Sequence, residues 1–449
     1  MPRRSPQVAI VGAGVAGCSA AYFLRQELRA DVEISIFERE SSIGGRILTR
    51  MFAGSEVELG AAFIHSTNQL LNSLIDSLHL ERRPSSHLAH RAKFSLGIWN
   101  GSRFVLRLPA SGLLKYPRLA LRYGYSLVKL RRSINNVLRQ WGRIYDPQLS
   151  PCIFAGPHEM FRSVGLSEVT NEIADVFWAQ QHVSSRVREE LCGAIIRAIF
   201  SQNLSINAFA AVTGLVGSGV NGGTAFSISG GNQKLCQQLL SSSGARLFTD
   251  RGIAAIYSKE DRNTIVDDCG ISTAFDAILV SAPLDSSRIE LNLPPPSGYS
   301  IRREEWLAVT ETCVAGRLAP AFFGLTQRSV LPDMVLTTEG TTMPFSVITP
   351  VAVRNSEQDS ARRLYKISST RPLEERLLND LFLNIDDISS ATWRAYPRLD
   401  PKADSIPFRL AQGLYYLNSM EDIVSTLETQ VLASRNVVRL MMRDFSLRT

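Results

Sequence analysis

Val8-Ala-Ile-Val-Gly-Ala-Gly-Val-Ala-Gly17 is the stretch that decides the fold of this chain. Its first four residues form a short apolar run typical of a buried strand, and residues 18–28 have the apolar spacing of a helix. Between the two, Gly12 makes the tight turn, Gly14 lets the backbone approach a pyrophosphate, and Gly17 lets helix and strand pack closely. The unpaired N–H groups at the start of that helix would then face the phosphates of a dinucleotide.

A second apolar strand, Glu33–Phe37, ends in Glu38, about twenty residues beyond the glycines. A carboxylate at this point accepts hydrogen bonds from the adenosine ribose hydroxyls and disfavours a 2′-phosphate. Glycine-rich turns are common, but the order of strand, turn, helix, strand and acid is specific. The sequence therefore predicts a dinucleotide site and argues against NADP.

The bulk composition is that of an ordinary soluble protein, with 45% apolar and 20% charged residues. A chain of 449 residues exceeds what one hydrophobic core usually serves, so we expect two interwoven domains. The six cysteines are irregularly spaced without a CxxC pair, which indicates neither a zinc site nor a disulfide framework. His87 and His90 form an HxxH pattern, but without partner ligands we expect no metal there.

Charge is distributed unevenly, because residues 82–145 hold fourteen Lys and Arg and no Asp or Glu. Apolar residues recur at helical spacing in segment 113–145, which predicts a basic amphipathic helix. Such a helix fits peripheral contact with an anionic membrane, or it simply covers the substrate domain. We expect no nucleic-acid binding, because no recognised motif accompanies the charge.

The compartment predicted from the sequence is the cytosol. The residues that precede the first strand leave no room for a secretory leader. A lysosomal or vacuolar location is the alternative if the amino terminus is incomplete.

Two further segments distinguish FAD from NAD. Ser42-Ile-Gly-Gly-Arg46 resembles the GGR element of flavin amine oxidases, in which glycine backbone and arginine meet the pyrophosphate, and nicotinamide-only Rossmann domains lack it. Glu58-Leu-Gly-Ala-Ala-Phe-Ile-His65 resembles the part of that superfamily that runs beside the isoalloxazine ring. The resemblance implies FAD as the cofactor.

Beyond these elements, the chain resembles the prenylcysteine oxidases, also called prenylcysteine lyases, in order along nearly its whole length. The matching motifs include Leu96-Gly-Ile-Trp-Asn-Gly101, Gly230-Gly-Asn-Gln-Lys-Leu235, Asp276-Ala-Ile-Leu-Val-Ser-Ala-Pro-Leu284 and Gly413-Leu-Tyr-Tyr-Leu-Asn418. The resemblance implies an α/β fold, with a Rossmann-type FAD-binding domain (1–66, 205–290 and 395–449) interwoven with a mixed α+β substrate domain (67–204 and 291–394).

The resemblance also implies the cofactor contacts. Asn418 to Glu421 would close on the ribityl chain and phosphate, a helix would open at 425–428, and Ile253, in a strand over 246–257, would lie at the adenine. The cofactor-binding residues expected are Gly12, Gly14, Ala16, Gly17, Glu38, Arg39, Gly44, Gly45, Arg46, Gly60, Ala61, Ala62, Phe63, Ile253, Asn418, Glu421 and Glu428.

The family reaction is oxidative thioether cleavage. The allylic carbon of a farnesyl or geranylgeranyl group gives hydride to the flavin, water adds, and prenyl aldehyde and cysteine leave, while O2 reoxidises the flavin to give hydrogen peroxide. All six histidines lie in the first half of the chain, and His65 is the catalytic candidate, with a structural role in a turn as its alternative. The uncharged run 198–233 is the expected wall of an apolar tunnel.

Three serines depart from the family pattern: some members have glycine at Ser419, an acid at Ser229 and proline at Ser66. These positions are expected near flavin or substrate, so the substrate is the less certain part of the resemblance. Two other functions stay open: an FAD oxidase of another prenylated or lipophilic metabolite, for example in a biosynthetic pathway, and a flavin-retaining binding protein without turnover.

Overall fold

A computed structural model describes residues 5–84, 95–110, 112–219, 222–258, 262–284, 287–293, 306–351, 363–401 and 405–446. The strands, in chain order, are β1 (Gln7–Val11), β2 (Glu33–Phe37), β3 (Thr49–Phe52), β4 (Ser55–Glu58), β5 (Ile64–His65), β6 (Arg82–Pro84), β7 (Leu96–Trp99), β8 (Phe104–Leu108), β9 (Ala225–Ile228), β10 (Arg246–Phe248), β11 (Ile253–Ser258), β12 (Asn263–Asp267), β13 (Ser272–Phe275), β14 (Ala277–Val280), β15 (Glu290–Asn292), β16 (Leu307–Leu318), β17 (Met334–Thr337), β18 (Phe345–Val351), β19 (Arg363–Ser369), β20 (Phe382–Tyr396), β21 (Arg409–Ala411) and β22 (Leu414–Tyr416).

The α-helices are α1 (Val15–Leu28), α2 (Gln69–Ser77), α3 (Gly112–Tyr123), α4 (Ser126–Gly142), α5 (Pro157–Ser163), α6 (Ser167–Asn171), α7 (Ala174–Gln180), α8 (Gly193–Phe200), α9 (Ala208–Gly217), α10 (Gln233–Ser243), α11 (Glu375–Leu381) and α12 (Leu427–Ser446). Short 3₁₀ turns at Arg143–Tyr145 and Pro320–Phe323 and a π-helical turn at Val187–Cys192 complete the helical elements of the described ranges.

A six-stranded sheet in the order β10-β2-β1-β14-β22-β21 forms the centre of the nucleotide-binding part. Its first five strands pair in parallel and β21 is antiparallel. Helices α1, α10 and α12 pack together on one face, and residues of the four-stranded sheet β13-β12-β11-β15 pack against the other. Both faces of β1 are therefore covered, which explains why residues 8–11 form a continuous apolar run instead of an alternating one.

A seven-stranded sheet in the order β20-β16-β19-β18-β17-β7-β8 forms the second part of the molecule. The predicted α/β fold class is confirmed. All six strands of the first sheet lie in the ranges predicted for the FAD-binding domain. The strands of the seven-stranded sheet lie within residues 96–108 and 307–396. The exact division between domains stays a prediction.

The strand predicted over residues 246–257 is wrong in one respect, because the structure divides it into β10 and β11, which belong to different sheets. The chain turns between them, where Asp250 has a φ of 53°. The turn wraps around Glu38: the Glu38 N–H donates to the Phe248 carbonyl, and the Arg251 N–H donates to the Glu38 carbonyl, both at 2.8 Å. The apolar pattern alone did not reveal this break.

Segment 113–145 is helical as predicted, but it forms two helices instead of one. The break between α3 and α4 lies at Gly124, whose φ of +55° is one that residues with a side chain rarely adopt. The predicted core-facing residues Tyr123, Leu130 and Ile134 are buried. Leu119, Leu127, Leu138 and Trp141 pack against the same core.

The uncharged run 198–233 contributes the end of α8, helix α9 and strand β9. Eight residues of α9 are buried, so this part of the run lies in the apolar interior, and its role as the wall of a tunnel stays a prediction. Across the described ranges, no helix combines the length and apolarity needed to span a bilayer.

Candidate functional site

The loop between β1 and α1 has the geometry that its glycines predict. Gly12 has a φ of +101°, and a Cβ on Gly17 would lie 2.0 Å from the Gly12 carbonyl oxygen, so no side chain fits at Gly17. Helix α1 begins at Val15, with Gly14 as its N-cap and no side-chain cap. The N–H groups of the first turn, including that of Ala16, therefore remain available to an anion.

The predicted second loop lies directly against the first. Gly14 and Gly44 form an isolated parallel bridge, and the Gly44 N–H donates to the Ala13 carbonyl at 2.9 Å. Gly44 and Gly45 have φ values of +115° and +56°. The structure thus brings together the two glycine loops that sequence reasoning assigned to one pyrophosphate.

Glu38 stands at the end of β2 and is buried. Its carboxylate accepts hydrogen bonds from the backbone N–H groups of Ala13 at 2.7 Å and Glu40 at 3.0 Å, which ties it to the glycine loop. Arg39 differs, because its side chain is exposed and pairs with Glu40 at 3.2 Å. Of the two neighbours predicted to contact the cofactor, Glu38 therefore lies against the paired glycine loops, which we call the nest, and the Arg39 side chain points to the surface.

Arg46 joins three distant parts of the chain. It forms an ion pair with Glu421, donates to the Ala395 carbonyl at 3.1 Å and to Ser425 Oγ at 3.4 Å, and stacks over Trp306 at 5.2 Å. Burial alone would lower the pKa of the Arg46 guanidinium, but Glu421 outweighs it, so this pKa is raised. The carboxyl-terminal turn therefore contacts the second glycine loop, and its predicted contacts with the ribityl chain and phosphate stay predictions.

Gly60, Ala61, Ala62 and Phe63 form a half-buried stretch inside an otherwise buried segment. A Cβ on Gly60 would lie 1.9 Å from the Arg46 carbonyl oxygen, and the Ala61 N–H donates to that same oxygen at 3.0 Å. The stretch is fixed against the second glycine loop while it keeps a partly open surface. This arrangement suits a backbone that lies beside a flat ring, although that role stays a prediction.

Asn232 is a site residue that the sequence reasoning did not single out. It is 1% exposed, and its Nδ2 donates to the Ala61 carbonyl at 2.8 Å, its Oδ1 accepts from the Ile228 N–H at 2.9 Å, and its own N–H donates to Glu58 at 2.7 Å. Asn232 thus braces the segment 58–61. Its place in the Gly-Gly-Asn motif was the available signal.

His65 is buried in the short strand β5, which pairs with β9. Its Nδ1 lies 2.9 Å from Thr67 Oγ1 and accepts from the Thr67 N–H at 3.3 Å. This is the turn-stabilising arrangement that the sequence analysis kept as the alternative to catalysis. A catalytic role stays untested, and the HxxH pair His87 and His90 lies outside the described residues.

Two residues predicted to contact the cofactor, Glu428 and Ile253, are buried in the structure, and Glu428 has protein partners. The Glu428 carboxylate accepts from the N–H groups of Leu70 and Leu71 at 2.9 and 2.8 Å and from the Tyr145 hydroxyl at 2.6 Å, so it holds the start of α2 against α12. Burial raises the pKa of Glu428. Ile253 is buried at the start of β11. Their cofactor contacts stay predictions.

A buried charged pair on the substrate-domain sheet also escaped the sequence analysis. Lys366 is 5% exposed and donates to the Glu58 carbonyl at 2.8 Å, and on the neighbouring strand Glu311 accepts from the Ser368 hydroxyl at 2.8 Å. Burial raises the pKa of Glu311, while Lys366 opposes that shift. The hydrogen bond from Lys366 holds the seven-stranded sheet against Glu58, which lies 308 residues away in the sequence.

The three serines that depart from the family pattern have hydrogen-bonding roles of their own. The Ser419 hydroxyl donates to the carbonyls of Pro407 and Tyr416, and Ser66 Oγ accepts from the Thr224 N–H. The Ser229 carbonyl accepts from Lys234 at 2.9 Å. The Ser66 and Ser419 hydroxyls therefore stabilise turns near the nest, whereas the bond at Ser229 uses only its backbone carbonyl.

Unsatisfied polar atoms test whether FAD fits this nest. Among the described residues, Asn418 Oδ1, Glu421 Oε2 and both amide atoms of Gln430 are buried without a hydrogen-bond partner. Buried polar groups in native proteins are almost always paired, so these atoms call for a polar ligand. Together with the two glycine loops and Glu38, they fit a dinucleotide such as FAD, which the loops, Glu38 and the 418–421 turn would hold. Sequence reasoning missed Gln430.

Comparison with known proteins agrees with this geometry. The sequence profile of the prenylcysteine lyase family matches residues 110–449, and that of an NAD(P)-binding Rossmann-like domain matches residues 10–78. Farnesylcysteine lyase of Arabidopsis thaliana is 30% identical over 98% of this chain and 88% of its own length. Human prenylcysteine oxidase 1 is 27% identical over 97% of this chain and 88% of its own.

Solved structures support the fold. A triple mutant of putrescine oxidase has a TM-score of 0.67 at 14% identity and covers 99% of both chains. Cyclohexylamine oxidase from Brevibacterium oxydans has a TM-score of 0.65 at 15% identity, over 99% of this chain and 100% of its own. Because the family profile covers most of the sequence and the relatives align along nearly all of it, this chain belongs to the prenylcysteine lyase family, as its motifs predicted.

Proposed function

We propose that this protein is an FAD-dependent oxidase that cleaves the thioether of prenylcysteines such as farnesylcysteine and geranylgeranylcysteine. The observation that carries the proposal is the similarity to farnesylcysteine lyase, which extends over 98% of the chain and so includes the substrate domain as well as the dinucleotide nest. The two glycine loops, Glu38 and the carboxyl-terminal turn supply the cofactor site that such an oxidase needs.

FAD, when bound, supplies a hydride acceptor for the allylic carbon next to sulfur. The residues of the chain orient the two reactants and exclude water. The segment 60–63 is held in place by Asn232 and by the Arg46 carbonyl. Helix α9 provides an apolar wall of the kind that an isoprenoid tail requires.

O2 is the electron acceptor in this proposal. The overall reaction then balances as prenylcysteine, water and O2 giving prenyl aldehyde, cysteine and hydrogen peroxide. Sulfur and the allylic double bond stabilise the positive charge that develops at the reacting carbon, so a strong protein acid or base is not required for that step.

The test is incubation of the purified flavoprotein with farnesylcysteine and assay of aldehyde, cysteine and peroxide. We expect all three in equal amounts, and none from a saturated S-alkylcysteine of equal length, which lacks the allylic double bond. Mixing without oxygen is the second readout, because a catalyst bleaches its yellow flavin and a binding protein does not. Absence of products and of bleaching with farnesylcysteine would defeat the proposal.

We also propose that the protein works in the cytosol and meets its lipid-like substrate at a membrane surface through the basic segment 113–145. Eight Lys and Arg and no acids in that segment support contact with anionic lipid. Fractionation of cells, with the protein detected in cytosolic and membrane fractions, tests the compartment.

A further inference from the structure

The corner between helices α3 and α4 exposes apolar side chains next to unpaired basic ones. Leu121 is 91% exposed, Tyr125 65% and Val128 53%, all within eight residues of sequence. Single exposed apolar residues are normal on a protein surface, but a cluster beside a charged rim marks an interaction site. We call Leu121, Tyr125 and Val128 the apolar corner.

The corner is held firmly by the body of the protein. Arg122, which follows Leu121, forms two hydrogen bonds of 2.7 Å with Glu190, and the buried Tyr123 donates to the same carboxylate at 3.1 Å. On the other side of the break, Ser126 Oγ accepts from the Ser184 N–H at 2.8 Å. The apolar side chains therefore stay at the surface because their neighbours are fixed.

The charge next to the corner is positive. Arg131 and Arg132 are exposed on α4 and form no ion pair with another described residue, and the Lys129 ammonium lies 5.7 Å from the centre of the Tyr125 ring. The nearby Glu190 is already neutralised by Arg122, and Glu189 is the exposed acid on that neighbouring turn. The corner thus combines apolar tips with a net positive rim.

A fourth exposed apolar residue, Val330, lies near helix α3. Arg118 donates to the Arg107 carbonyl at 3.3 Å, and Arg107 donates to the carbonyl of Val330, which is 80% exposed. The combination of apolar side chains and arginines therefore continues from the corner along this side of the substrate domain.

We infer that the apolar corner inserts into the headgroup region of an anionic lipid bilayer, with Arg131 and Arg132 against the lipid phosphates. Leucine and tyrosine partition into that region, valine adds apolar area beside them, and basic residues near it are attracted to anionic headgroups. Nucleic acid fits less well, because it would leave the three apolar side chains in water.

This inference rests on the proposed function for its purpose. Helix α4 has 17 residues and is about 25 Å long, and at its far end Trp141 packs on Phe161 and on Phe209 of helix α9, in the apolar core. A prenylated amino acid dissolves in membranes, so a corner that docks there brings this apolar core within one helix length of the lipid.

The test uses the full-length flavoprotein and sedimentation with vesicles of phosphatidylcholine, with or without phosphatidylserine, in the absence of substrate. We expect binding to the anionic vesicles that weakens with salt. The variant Leu121→Ser/Tyr125→Ser/Val128→Ser should bind about tenfold or more weakly. The matched control Ile271→Ser/Leu383→Ser, which changes residues 51% and 53% exposed elsewhere, should bind as the parent does. Arg131→Gln/Arg132→Gln should lose the preference for phosphatidylserine.

Three results would overturn the inference. They are vesicle binding by the corner variant as tight as that of the parent, a loss of vesicle affinity in the control variant as large as in the corner variant, and binding of the parent to duplex nucleic acid and not to vesicles. Flavin content and melting temperature of each variant establish that it is folded. Turnover of farnesylcysteine in detergent micelles should be unchanged in the corner variant, and turnover from anionic vesicles should fall. If neither the parent nor the variants cleave farnesylcysteine, the proposed function is wrong. The vesicle measurement then still tests whether the apolar corner binds lipid.

Discussion

Gln430 offers the sharpest test of the dinucleotide nest. It is 5% exposed, and neither atom of its amide has a partner among the described residues. It lies one turn before Ser434, whose hydroxyl donates to the Ala16 carbonyl at 2.9 Å, so both residues lie on the face of α12 that packs on the start of α1. We therefore expect the amide of Gln430 to contact the bound cofactor.

The magnitude follows from the value of one such contact. A hydrogen bond contributes about 0.5–1.5 kcal/mol net, or about 1.5–3 kcal/mol when one partner is charged, as a phosphate would be. Gln430→Leu removes the amide at similar volume, so FAD affinity should fall by about 1–3 kcal/mol, which is roughly 5-fold to 150-fold. The flavin-free protein should be no less stable, because leucine removes a buried polar group that has no protein partner.

Titration of the flavin-free protein with FAD, followed by quenching of flavin fluorescence, gives the dissociation constant, and denaturation without FAD gives the stability. Gln202→Leu is the matched control, because that amide is paired with the Pro397 carbonyl at 3.1 Å and the Leu399 N–H at 2.9 Å. The control should lower stability by about 1–3 kcal/mol and leave FAD affinity unchanged. A Gln430→Leu protein that binds FAD as tightly as the parent refutes the reasoning.

Four further changes follow from the site geometry. Gly17→Ala places a methyl group 2.0 Å from a backbone oxygen, so the purified protein should be colourless, without the flavin absorbance of the parent. Asn232→Ala removes the two side-chain hydrogen bonds, with the Ile228 N–H and the Ala61 carbonyl, and should lower the free energy of unfolding in denaturant by about 2–4 kcal/mol. His65→Asn should lower the melting temperature and keep kcat for farnesylcysteine within about threefold, since loss of a general base would cost about a hundredfold or more. The Ile271 backbone N–H, and after it Arg251, lower the pKa of Asp267, so the stabilising effect of its carboxylate is present above the ordinary pKa of Asp and lost as pH falls through the lowered value. Asp267→Asn should be less stable at neutral pH and show a flatter acid limb in denaturation measured at a series of pH values.

Local backbone requirements were the part that the sequence could predict. Gly12, Gly17 and Gly60 each lie where a side chain would strain the backbone or meet a carbonyl oxygen, so the residue type itself records the geometry. The first strand and helix were located for the same reason, since their apolar patterns reflect burial within one element.

Contacts between residues far apart in the chain could not be predicted from the sequence. Lys366 reads as one more surface lysine until the fold places its ammonium on the Glu58 carbonyl, 308 residues away. Gln430 has the same difficulty, because only the packing of α12 on α1 turns an ordinary helical glutamine into a buried amide. The break between β10 and β11 was missed because the turn there is held by hydrogen bonds to Glu38, which follows strand β2 and is distant in sequence.

The charge balance of the nest explains why its glycines matter for ligand approach. Arg46 directly follows the second glycine loop, but it is already paired with Glu421, so the two side chains together contribute little net charge. Attraction for a diphosphate must then come largely from the backbone N–H groups of the two loops and from the positive end of α1. A backbone site of this kind works only if the ligand can approach the main chain closely. Gly14 and Gly44 make that approach possible, and a side chain at either position would block it even with every charge in place.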